Sequence, residues 1–152
     1  MRDGTGKREN TMPHYETTRT IAATPEEIWP ILTDAARLQD GSFSILKIEG
    51  QIKDGETIRL WSEADPNRAF PILVSDVAPP NRMVWSNGMP FGLFKGARVF
   101  SLTPEGGSTV FRMREDYTGL LSGLMFKMIP DLQPTFEKFG DALVAAVEGG
   151  EA

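Results

Sequence analysis

Arg98 and Glu115 are the charged members of a stretch whose other alternate residues are mostly apolar. A turn at Pro104 to Gly107 would fold residues 96–103 and 109–118 into a hairpin pairing Leu102 with Thr109, Phe100 with Phe111 and Arg98 with Met113. In that register Arg98, Phe100, Leu102, Phe111, Met113, Glu115 and Tyr117 share one face, because opposed strand residues point the same way. Ser101, Arg112, Arg114 and Asp116 share the other face with Ala97, Val99 and Val110, which makes it the solvent side. Arg98 and Glu115 then sit diagonally on an otherwise apolar surface, where a charge is costly unless it is paired. Two roles fit them: a structural ion pair, or a polar anchor for a ligand carboxylate, carbonyl or hydroxyl.

Large apolar side chains could form the rest of such a site. Trp61 and Trp85 fall on central strands, where they either pack a core or line a cavity. The phase of the first strand is open, since Ile58 and Leu60 alternate with Trp61. Met125, Met128, Phe136 and Phe139 are equally suited to filling a core and to shaping a pocket for apolar molecules of varied form. The loop Met89-Pro90-Phe91-Gly92-Leu93-Phe94 is too apolar to be purely solvated, so it folds onto the core or forms a flap, with Met89, Phe91 and Phe94 at a cavity mouth. The candidate ligand cavity thus comprises Trp61, Trp85, Arg98, Phe100, Phe111, Met113, Glu115, Met125, Met128, Phe136 and Phe139.

Familiar catalytic patterns are weak. The chain has no Cys, which removes thiol catalysis and thiolate metal sites, and its one His, His14, removes a multi-His metal site. No metal or other cofactor is expected. Gly4-Thr5-Gly6-Lys7 lacks the preceding strand of a phosphate loop. Glu26-Glu27 reads as a helix cap, and Glu115-Asp116 places its carboxylates on opposite faces of a strand. A net charge of -5 without a basic cluster argues against a nucleic-acid partner. The longest apolar run, Leu120 to Ile129, is interrupted by Lys127 and is too short to span a bilayer. The polar first residues carry no signal-peptide pattern, so the expected location is cytoplasmic, and a homodimer is left open.

These residues must be positioned by a small set of elements. Leu121, Met125, Met128, Leu132, Phe136, Phe139, Leu143 and Val147 recur every three or four residues and predict an amphipathic helix over 120–147, broken near Pro130 and Pro134. Thr24-Pro25-Glu26-Glu27 predicts a capped helix start, with the helix ending by Ala36. Turn clusters at Asp54-Gly55, Asp65-Pro66-Asn67, Pro79-Pro80-Asn81, Asn87-Gly88 and Glu105-Gly106-Gly107 separate runs that favour strands. With Tyr15 to Ile21, the strands are expected over 43–49, 56–63, 68–77, 82–86, 96–103 and 109–118. The order is strand, helix, six strands, helix. Residues 1–12 lack apolar periodicity and are expected to be a disordered lead-in to a single domain spanning 13–149.

This order, with Thr24-Pro25-Glu26-Glu27-Ile28-Trp29, Leu32-Thr33-Asp34, Pro79-Pro80-Asn81-Arg82-Met83-Val84-Trp85 and Glu115-Asp116-Tyr117-Thr118-Gly119-Leu120, resembles the START-like SRPBCC superfamily, within it the bacterial polyketide cyclase/dehydrase-like members. The resemblance implies an α+β helix-grip fold, in which a seven-stranded antiparallel sheet wraps around a long C-terminal helix with an apolar cavity between them. One departure is Leu38-Gln39-Asp40-Gly41, where many relatives carry an aromatic residue. The leading expectation is a container for a small hydrophobic or amphipathic molecule. A cyclase or dehydratase using Glu115, Arg98 or Tyr117, and an interaction module without a ligand, are the alternatives.

Overall fold

The computed structural model describes residues 13–149, so the expected lead-in over 1–12 and the Gly4-Thr5-Gly6-Lys7 motif lie outside the described residues. Seven strands form where the sequence alternates: β1 (His14–Ile21), β2 (Ile45–Glu49), β3 (Thr57–Ser62), β4 (Asp65–Ala78), β5 (Arg82–Met89), β6 (Phe94–Glu105) and β7 (Ser108–Thr118). They pair in the order β1-β7-β6-β5-β4-β3-β2, antiparallel throughout. The first two strands in the chain, β1 and β2, are therefore the sheet edges, and the helices cover its concave face. This is the α+β helix-grip fold.

Between β1 and β2 the chain makes two short helices, α1 (Pro25–Leu32) and α2 (Ala35–Leu38). Thr24 closes the predicted capping box: its hydroxyl accepts from the Glu27 amide, and the Glu27 carboxylate accepts from the Thr24 amide. The late stretch is broken where the prolines predict, into α3 (Ser122–Met128) and α4 (Gln133–Glu148). α4 buries Phe136, Phe139, Ala142 and Leu143 against the sheet.

A polar clamp fixes α4 to β1. Arg19 lies across the helix, donating to the Glu137 carboxylate (2.8 Å), the Asp141 carboxylate (3.1 Å) and the Thr17 hydroxyl (2.7 Å). Thr17 in turn donates to Glu137 (2.9 Å), so its buried hydroxyl is satisfied. Gly140 permits this approach, since a Cβ there would stand 3.2 Å from the Arg19 side chain.

Three local expectations are corrected. Asn87-Gly88 is not a turn: both residues lie in β5, paired with Gly96 and Lys95 of β6, and the connection falls at Pro90–Gly92. The β3–β4 turn falls at residues 63–64, and Asp65-Pro66-Asn67 begins β4 at a register shift, because Ser62 pairs with Asp65 while Trp61 pairs with Ala69. The β6–β7 hairpin closes through Gly106 and Gly107 alone, both at positive φ, so Arg98 pairs with Glu115, Phe100 with Met113 and Leu102 with Phe111. Two consecutive left-handed residues give the tight turn whose twist matches the strands. The register moves by two residues and the strand period is two, so each side chain stays on its expected face.

Candidate functional site

Two rows of paired residues across the concave sheet organise the site. Trp85 of β5, Arg98 of β6, Glu115 of β7 and Tyr15 of β1 lie side by side in one row. Met83, Phe100, Met113 and Thr17 form the row beside it, toward the β6–β7 turn. On the other side, Gly96 pairs with Tyr117. A Cβ on Gly96 would come within 2.7 Å of Glu115 Oε2 and 3.1 Å of the Tyr117 ring, so the glycine makes room for both.

Arg98 and Glu115 meet directly rather than diagonally. Nε and Nη2 of Arg98 both lie 2.8 Å from Glu115 Oε1, and the guanidinium sits 4.5 Å over the Phe136 ring. The pair is largely shielded from water, at 22% and 12% side-chain exposure, so each charge depends on the other. Tyr117 is buried beside it, and burial together with the Glu115 charge pushes its ionisation up, keeping the phenol protonated. Its ring packs on Phe94 (5.7 Å, stacked), Phe126 (5.5 Å) and Tyr15 (6.0 Å).

These groups border a cavity of about 210 Å³ between the sheet and the α3–α4 region. Of the candidates, Trp85, Arg98, Met113, Glu115, Phe136, Phe139 and Phe94 line it. Phe43, Ile45, Leu60 of β3, Phe70 and Ile72 of β4, and Ile129, Pro130 and Leu132 around the helix break complete the apolar wall, with the hydroxyl-bearing Ser44 and Thr135 among them. Ser62, Asp65, Arg68, Ser86 and Asn87 add polar atoms.

The other candidates lie elsewhere, each for a physical reason. Trp61 points to the outer face, between Lys47 (5.1 Å) and Arg59 (5.2 Å), because Ile58 and Leu60 take the inward phase. Phe100 and Phe111 are inward but sealed in the core: Phe100 packs on Trp85 (4.7 Å) and Phe111 stacks on Phe139 (6.2 Å). Met128 is 69% exposed, because the break at 129–132 takes α3 out of phase with α4; α3 turns Phe126 inward instead, onto Tyr15 at 5.1 Å. Met125, half-buried on the same short helix, does not reach the cavity. In the loop, Met89 is exposed and Phe91, at φ 62 in a 3-10 turn, is 94% exposed, leaving only Phe94 on the wall.

Ser44 was not legible as a site residue. It is buried in a left-handed backbone conformation (φ 64), which a serine adopts only at a cost. Among the described residues the buried side-chain atoms without a hydrogen-bond partner are Ser44 Oγ, Trp85 Nε1 and Tyr117 Oη. All three residues line the cavity. No group of His, Cys, Asp and Glu among the described residues could hold a metal ion, and no helix there is long and apolar enough to cross a membrane.

Residues 12–148 match the family model described as polyketide cyclase / dehydrase and lipid transport. The chain belongs to that family. Solved structures agree on the SRPBCC/START-like fold. A START superfamily protein from Mycobacterium smegmatis superposes with a TM-score of 0.66 at 21% identity, covering 90% of this chain and 97% of that one. The Aha1 dimer from Colwellia psychrerythraea gives 0.68 at 20% identity, covering 93% and 100%. DynU16, a protein of the dynemicin biosynthetic locus, gives 0.66 at 18% identity over 90% of this chain, which spans only 48% of DynU16. At such identities the likeness to solved structures is one of fold alone. No curated protein matches the chain.

Proposed function

We propose that this member of the family holds a small, largely apolar molecule in the cavity between the sheet and the helix break, in a cytoplasmic setting. The observation that carries the reading is the cavity itself: about 210 Å³ walled mainly by Leu60, Phe70, Ile72, Met113, Phe136 and Phe139. Engineered apolar cavities of about 150 Å³ already admit benzene. Native interiors otherwise close such spaces, so an unfilled one beside a buried ion pair is suited to a guest.

An environment-sensitive apolar dye tests this. Native protein should bind it saturably and one to one, and Met113→Trp, which narrows the space, should weaken binding while changing stability by less than about 1 kcal/mol, since the new ring enters a void. No dye binding, with Met113→Trp destabilising the fold by about 2–3 kcal/mol as overpacking would, rejects the container.

The cyclase or dehydratase reading is supported by one contact. The protonated Tyr117 hydroxyl lies beside the cavity and could donate to a developing enolate oxygen. Glu115 is less well placed as a base, because its Oε1 is already engaged by Arg98 at 2.8 Å. Loss of turnover in Tyr117→Phe with ligand affinity retained would favour this second reading.

A further inference from the structure

The polar atoms around the cavity narrow the kind of molecule that fits. Trp85 Nε1–H can only donate, while the Ser44 and Tyr117 hydroxyls can donate or accept. All three are buried, Ser44 and Trp85 with no hydrogen-bond partner and Tyr117 with only the Glu115 carboxylate beside its hydroxyl, although buried hydroxyls elsewhere in the fold are satisfied, as at Thr17 and Thr109. A buried donor without an acceptor carries its desolvation penalty until something supplies the acceptor. Ser44 adds backbone strain to the same penalty, a combination that points to a role beyond packing.

The charged side chains lining the cavity are Asp65, Arg68, Arg98 and Glu115, two of each sign. Arg98 and Glu115 neutralise each other at 2.8 Å, so neither is free to bind an opposite charge without breaking the pair. The Arg68 guanidinium is drawn over the Phe70 ring, 4.9 Å away. Asp65, half-buried, and Arg68, exposed, carry opposite signs, so the lining as a whole holds no net charge to offset the hydration an ionised ligand would lose.

We propose that the cavity selects an uncharged molecule about the size of two fused rings that presents hydrogen-bond acceptor oxygens, such as a carbonyl, to Trp85, Tyr117 and Ser44. This inference rests on the container reading above and specifies what the container takes. It also gives Arg98 and Glu115 a different part from that of a ligand anchor: they cancel charge in the wall.

Four compounds on one skeleton separate the possibilities: tetralin, 1-tetralone, tetralin-1-carboxylate and 1-aminotetralin, titrated into the full chain by calorimetry. 1-Tetralone should bind about tenfold tighter than tetralin or more, the scale of the one or two hydrogen bonds its carbonyl can accept, and the two ionised analogues no tighter than tetralin. Trp85→Phe and Tyr117→Phe should each reduce the ketone's advantage and leave tetralin binding in place. Ser44→Gly should do the same while the fold is kept or stabilised, since glycine accepts the left-handed backbone freely. Equal binding of ketone and hydrocarbon overturns the acceptor inference and leaves the container standing. Tightest binding by the carboxylate or the ammonium overturns the neutrality. If none of the four binds, the container reading falls and this inference falls with it.

Discussion

Toward the β6–β7 turn, Phe100, Leu102 and Phe111 are fully buried against Met83 and Phe139, and the buried hydroxyl of Thr109 donates to the Ala23 carbonyl at 2.7 Å. A few residues further along the same strands, Arg98, Glu115 and Tyr117 border an unfilled space and buried polar atoms have no partner. The same two strands thus build a closed core at one end and an incomplete one at the other. Since the closed end satisfies its polar groups, the missing partners are a property of the cavity region and not of the fold in general. Incompleteness confined to one place is the observation on which the proposed container rests.

The contrast can be broken most forcefully at the closed end. Phe111→Ala should destabilise the protein by about 3–5 kcal/mol in urea denaturation, because the ring leaves a hole that packed neighbours cannot fill. A loss below 1 kcal/mol, on the scale of a surface change, would mean that this end is as loose as the other.

The next effect concerns the ion pair that divides the two ends. Arg98→Met leaves Glu115 shielded and alone, and with some water access should cost about 2 kcal/mol, less than the loss from fully buried pairs. Adding Glu115→Gln should recover part of that loss. Strictly additive losses in the double-mutant cycle would mean that the two side chains are not coupled in solution.

Much of this was readable in the chain. The Thr24 capping box, the two prolines that divide α3 from α4 and the seven alternating runs each rest on local chemistry, and each is in place. The inward set of β6 and β7 survived a register moved by two residues because the side-chain period is two. The wall of the cavity was less legible. Whether Trp61 or Leu60 turns inward depends on which face the helices cover, a long-range fact that both alternating sets satisfy locally. Met128 fits the helical stripe, but the four residues between α3 and α4 reset the phase and turn it to solvent. Ser44 carries no sequence signal at all, since neither its left-handed backbone nor its missing partner follows from residue type.

A smaller effect sharpens the comparison from the clamp, where polar groups are fully engaged. Glu137 is held below the usual carboxylate range by hydrogen bonds from Arg19, Thr17 and Gln133. A lowered folded-state pKa means that this contribution is complete above the ordinary value of 4.5 and is lost as pH falls through the lowered one. Melting temperature followed on acidification should therefore drop more steeply in the wild type than in Glu137→Gln. Because Glu137 is 46% exposed, the difference should be small, and parallel curves would show that the clamp adds nothing.

The central claim is that a guest enters at the incomplete end, and the three Trp indoles report on it directly in proton–nitrogen NMR spectra during titration with 1-tetralone. Trp85 lines the cavity, Trp61 stands on the outer face and Trp29 belongs to α1. The account predicts that the Trp85 Nε1–H resonance moves saturably, downfield as the donor gains an acceptor, while the Trp61 and Trp29 resonances stay in place. Movement of Trp61 with Trp85 unchanged would contradict it.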